Sequence, residues 1–124
     1  MSIKVLLADD TEIVRRAIRG LLKGEPKIEI VGEVVNFAQT IQLIENLRPD
    51  VVIMDLHMPD GQVVTQQQVK SCLTPSVSRL LAISIWNDAE TKALAASFGA
   101  VQLLDKARLG TDLIPAIVAP TSPT

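Results

Sequence analysis

Four places in this sequence hold side chains that could do chemistry together. Asp9 and Asp10 follow the apolar run "IKVLLA", and Asp55 closes the run "VVIM". Ser84 ends "LLAIS", and Lys106 stands just past "VQLLD". Each is bland by itself. A lone aspartate after an apolar run is usually a turn former or a helix cap, and a lone lysine is usually solvated. Taken together they offer carboxylates, a hydroxyl and an ammonium. That set suits phosphoryl transfer, in which a carboxylate can be the covalent acceptor and the remaining groups position and neutralise the phosphoryl oxygens.

The elements that must bring these residues together can be read from periodicity. Short apolar runs at 3–8, 28–34, 51–54, 80–84 and 100–104 read as strands. Between the first two, Ile13, Val14, Ala17, Ile18, Leu21 and Leu22 recur at helical spacing, with Gly24 as a stop. Ala38, Ile41, Ile44 and Leu47 repeat the pattern before Pro49. A weaker helix spans 62–73. Asn87 and Glu90 have the spacing of a capping box and open a helix running to about Phe98, with Gly99 after it. A short last helix covers 112–118.

Five strands alternating with five helices predict an α/β fold: a doubly wound, five-stranded parallel sheet of flavodoxin-like type, strand order 2-1-3-4-5, with helices on both faces. Such sheets bind ligands at the carboxyl ends of their strands. In this order the first and third strands are neighbours about 4.8 Å apart, so Asp9, Asp10 and Asp55 crowd together. Three close carboxylates repel unless a cation lies among them or some are protonated. A hard divalent ion such as Mg²⁺ suits all-oxygen ligands. Ser84 lies one strand beyond Asp55 and Lys106 two, within reach of a lysine stem.

Composition narrows the alternatives. The chain has 124 residues, 48% hydrophobic and 21% charged, enough for one domain with a real core. Its net charge of −2, without a basic run, gives no footprint for nucleic acid. Cys72 is the single cysteine, so no disulfide framework exists within the chain, and a reducing cytoplasm is expected. No stretch is long and apolar enough to span a membrane. The domain is expected to occupy 1–118, with 119–124 ("APTSPT") a tail or the start of a linker.

The four motifs, "LLADD", "VVIMDLHMPDG", "LAISIWND" and "LLDKA", resemble in order and spacing the receiver domain of bacterial two-component response regulators, the CheY-like domain. The resemblance covers about 3–118, and "LLADD", the long motif around Asp55 and Ser84 are most similar to the NarL/FixJ (LuxR-type) receivers. It implies that Asp55 is phosphorylated by a sensor histidine kinase or a small phosphodonor, in a reaction dependent on Mg²⁺ or Mn²⁺. Asp10 would bind the metal directly and Asp9 largely through water. The His57 backbone carbonyl would be a further ligand. Ser84 and Lys106 would hold the phosphoryl group. The domain would be a switch and not an enzyme, with at most slow autodephosphorylation. It would act on a downstream protein or output domain, through a surface that can also form a homodimer. Positions 57 and 86 flank the route of attacking water in this family, so His57 and Trp86 are expected to tune the lifetime of the phosphoryl group.

The sequence departs from the family at three points. Leu103 replaces the usual aromatic, Ala107 follows the lysine where proline is common, and Pro115 interrupts a short last helix. Other readings fit less well. An Asp-nucleophile phosphatase wants a second aspartate where His57 stands. Asp55-Leu56-His57 resembles the start of a cobalamin signature, but that signature's glycine position is Asp60. A pseudo-receiver that only docks would not need the full acidic pocket. Asp60-Gly61 after Pro59 reads as a turn, with no chemistry assigned to Asp60, and Cys72 as a core filler.

Overall fold

A computed structural model describes residues 2–73 and 78–119. The tail expected from 119 onward lies, apart from Ala119, outside the described residues. Strands β1 (Ile3–Ala8), β2 (Ile28–Val34), β3 (Val51–Asp55), β4 (Arg79–Ser84) and β5 (Gln102–Asp105) alternate with helices α1 (Glu12–Leu22), α2 (Phe37–Leu47), α3 (Gln66–Cys72), α4 (Ala89–Ser97) and α5 (Leu109–Val118). All pairings are parallel and the sheet order is β2-β1-β3-β4-β5. This is the expected doubly wound fold.

The central strands are apolar on both faces because each face is covered by helices. Val5, Leu7, Ile53, Leu81 and Ile83 point to one side and pack with Ile18 and Leu22 of α1 and Leu113 and Ile117 of α5. Leu6, Ala8, Val52, Met54, Leu80 and Ala82 point to the other, against Phe37 and Ile44 of α2, Val69 of α3 and Ala95 of α4. Burying each of the larger of these side chains contributes roughly 1.5–3 kcal/mol, so a one-residue register slip would be prohibitive. Register therefore fixes which residues emerge at the carboxyl rim.

Several local expectations change. Ile13, read into the apolar stripe of α1, is 80% exposed; Ile18 and Leu22 carry the burial. Helix α4 is capped by Asp88, whose carboxylate accepts from Thr91 N at 2.8 Å, and not by Asn87. The capping box lies instead at α3, where Thr65 accepts from Gln68 N and Gln68 Oε1 accepts from Thr65 N. The helix expected over 62–73 is confined to Gln66–Cys72, and α5 begins at Leu109, ahead of 112, with Pro115 inside it. Gly99 does terminate α4, at φ 88°, a left-handed conformation that suits glycine. No described peptide bond is cis, so the Lys106–Ala107 bond is trans.

Candidate functional site

Asp9 leaves β1 fully buried, its backbone N–H donating to the Val34 carbonyl at 3.1 Å. Thr11 is the N-cap residue of α1, but its side chain makes no cap bond. Its hydroxyl and its backbone N–H both donate to Asp9 Oδ1, at 2.7 and 2.9 Å. One carboxylate oxygen is thus locked in place. The other, Oδ2, is buried and makes no aligned hydrogen bond; its close cationic neighbour is Lys106 Nζ at 3.0 Å.

Asp55 ends β3 opposite Ile83, only 5% exposed. The backbone N–H of His57 donates to Asp55 Oδ1 at 3.2 Å, and Lys106 Nζ stands 3.3 Å from Asp55 Oδ2. Lys106 opens a 3-10 turn (Lys106–Arg108) directly after β5, and the pairing of Ser84 with Asp105 carries it to the rim. Asp10 is exposed, and it completes a group in which Asp9, Asp10 and Asp55 each offer an oxygen within 4.8 Å of the others.

At that spacing two carboxylates repel by roughly 3–4 kcal/mol at an effective dielectric of about 20. Burial is the main reason that Asp55 is held above the ordinary carboxylate range; Lys106 opposes this and Asp9 adds to it. Burial would lower the Lys106 ammonium, but Asp55 and Asp9 outweigh it and its pKa is raised. One ammonium against three carboxylates leaves a negative excess of two. Together with the orphaned Asp9 oxygen, this donor set fits a hard divalent cation.

Ser84 is buried, and its hydroxyl accepts from Trp86 N at 3.0 Å, which turns the β4–α4 loop back over the strand end. Trp86 is 52% exposed and meets the exposed His57 ring edge-on, centroids 5.4 Å apart. Leu103, at the position usually aromatic, is half-buried against the α2–α4 side of the core. Cys72 is half-buried, and burial pushes its thiol up to about 11, consistent with a filler and not a reactive group.

The structure adds groups to which sequence patterns assign no role. Asp60 is more than a turn residue: its two oxygens accept from Phe37 N at 2.8 Å and Ala38 N at 2.9 Å. Asn36 takes the next N–H, that of Gln39. The loop after Asp55 is thereby pinned to the start of α2. Arg15 donates to the Asp9 carbonyl at 2.7 Å. The first link spans 22 and 23 residues and the second joins a side chain to a backbone carbonyl six residues back, so periodicity and motif spacing carried no sign of either.

A family model for the response regulator receiver domain matches residues 5–118. The chain belongs to the response regulator receiver domain family. This receiver is 33% identical over 109 residues to a protein-glutamate methylesterase/protein-glutamine glutaminase of Aliivibrio fischeri, a match covering 86% of the chain and 28% of that protein. It is 41% identical over 59 residues to the DNA-binding transcriptional activator DevR/DosR of Mycobacterium tuberculosis, covering 48% of the chain and 27% of that protein. Its fold superposes on the isolated REC domain of RcsB from Salmonella enterica with a TM-score of 0.80 at 25% identity, covering 96% of the receiver and 88% of that chain. The receiver thus spans under a third of these two curated relatives, and its structural neighbours include NarL/LuxR-type receivers. It is a two-component receiver domain with an acidic pocket formed by Asp9, Asp10 and Asp55. Among the described residues, no helix is long and apolar enough to cross a membrane.

Proposed function

We propose that this receiver is a phosphoacceptor switch in which Asp55 carries the phosphoryl group. The observation that carries this reading is the placement of the Asp55 carboxylate, inside the acidic group yet 3.3 Å from the Lys106 ammonium. A carboxylate oxygen of Asp55 attacks phosphorus, the new O–P bond forms as the bond to the donor breaks, and the donor leaves with its electron pair. The donor is a phosphohistidine of a sensor histidine kinase or a small acyl phosphate. Lys106 and the Ser84 hydroxyl hold phosphoryl oxygens, and the Asp9 carboxylate anchors the ammonium.

Asp10, Asp9, Asp55 and the His57 carbonyl are the groups that would hold Mg²⁺ or Mn²⁺, and a bound ion would neutralise charge on the transferred group. Transfer is the domain's whole chemistry, with at most slow loss of the phosphoryl group to water. His57 and Trp86, whose rings meet edge to face, set how readily that water arrives. Phosphorylation then biases a surface between two states that a downstream protein, an output domain or a second copy reads, in the cytoplasm. Residues 1–118 form the switch, with 119–124 a tail or the start of a linker.

Incubation with acetyl phosphate and Mg²⁺ tests the reading by intact mass. The wild-type chain should gain one phosphoryl group, and Asp55→Asn or omission of the metal should abolish the gain. Labelling that persists in Asp55→Asn would overturn the assignment. A chain that never labels would be a docking module alone, and turnover of a phosphate monoester would indicate a phosphatase.

A further inference from the structure

We propose that Arg15 is a positioning residue for the metal-binding aspartates, acting through the peptide that joins Asp9 to Asp10. The inference rests on the metal reading above and concerns a residue outside the acidic group.

Asp10 is exposed, and among the described residues its carboxylate accepts no side-chain or backbone hydrogen bond. Unlike Asp9, which is gripped by Thr11, it can be aimed only by its backbone. The Asp9 carbonyl belongs to the peptide plane leading into Asp10, and Arg15 Nη1 donates to that oxygen at 2.7 Å. On the other side of Asp9, its N–H is held by the Val34 carbonyl. The main chain is therefore fixed on both sides immediately before the exposed carboxylate.

Arg15 is itself held. Its side chain is 14% exposed, with Nη2 2.6 Å from Glu12 Oε2 and Nε 3.2 Å from Glu33 Oε1. Arg19 closes the ring by bridging the same two glutamates, at 2.7 and 2.6 Å. A planar guanidinium can satisfy these acceptors together, which a lysine ammonium on a shorter single-point stem cannot. The ring links the start of α1 and the edge strand β2 to the rim, and among the described residues the Asp9 carbonyl is its one connection to the acidic group.

Charge and position make opposite predictions, which gives a clean test. Arg15→Met removes a positive charge close to a cation site, so electrostatics alone would tighten metal binding. Loss of positioning would weaken it. The full chain is titrated with Mn²⁺, free aquo ion is counted by electron paramagnetic resonance, and folding is checked by thermal melting. Arg15→Met is expected to raise Kd about tenfold, the usual effect of removing a group that orients a metal ligand. Arg19→Met, which breaks half the ring without touching the Asp9 carbonyl, is expected to stay within about twofold of wild type. An unchanged or tighter Kd in Arg15→Met, or an equal loss in Arg19→Met, overturns the proposal. Should Arg15→Met not fold, Arg15→Lys decides: a Kd several-fold above wild type supports it, and an unchanged Kd overturns it. Failure of the wild-type chain to bind Mn²⁺ would instead remove the metal reading itself, and the inference with it.

Discussion

Lys106 Nζ lies 3.0 Å from Asp9 Oδ2, a fully buried oxygen without an aligned hydrogen bond. The same ammonium reaches Asp55. It holds two oxygens that a divalent ion would also use, so lysine and metal compete for part of one site. Lys106→Met should therefore bind Mg²⁺ several-fold more tightly by calorimetric titration, while accepting phosphoryl groups from acetyl phosphate more slowly. Unchanged affinity would show that Lys106 and the ion use separate oxygens.

Asp55 gives a pH signature. Its carboxyl is raised above its ordinary value of 3.8, chiefly by burial, so the folded state holds that proton more tightly than the unfolded state does. The sign follows by linkage. This contribution is fully present below the unfolded value and is lost as pH rises through the raised folded value. Metal-free Asp55→Asn, which has no such proton to lose, should be more stable than wild type at pH 7, and the gap should shrink on acidification towards pH 4. Urea melts across that range measure it, and a gap independent of pH would contradict the raised Asp55.

Asp60 closes the first turn of α2 through two backbone N–H groups. Asp60→Ala leaves both without their partner and should cost about 1–2 kcal/mol, the upper part of the range for lost helix caps. The melting temperature should fall by several degrees, and Asp60→Asn, which keeps one acceptor, should fall less. An alanine variant that melts with wild type would show that water replaces the carboxylate without loss.

Trp86 holds its half-exposed ring edge-on to that of His57, and its backbone N–H donates to Ser84 at the end of β4. Trp86→Ala should shorten the lifetime of the phosphorylated domain several-fold, followed by the decay of radiolabel after the donor is removed. A lifetime equal to that of wild type would assign Trp86 no shielding role.

The sequence determined the fold and which residues gather at its carboxyl rim, because both rest on patterns that repeat locally. Apolar runs of strand length alternated with 3.6-residue periodicity, which dictates a parallel sheet covered on both faces, and strand order followed from right-handed crossovers. Once the strands are ordered, their carboxyl ends must lie side by side, so Asp9, Asp10, Asp55, Ser84 and Lys106 must share one rim. Tertiary structure decided what each residue touches there. Asp60 reaches back 23 residues to Phe37, and Arg19 reaches 14 residues forward to Glu33. Thr11 spends its hydroxyl on Asp9 and not on its own helix. Ile13, placed on the apolar face by spacing, faces water. Contacts of this kind depend on how side chains from separate elements meet in three dimensions. Periodicity specifies which face a residue occupies, and only packing determines its neighbour.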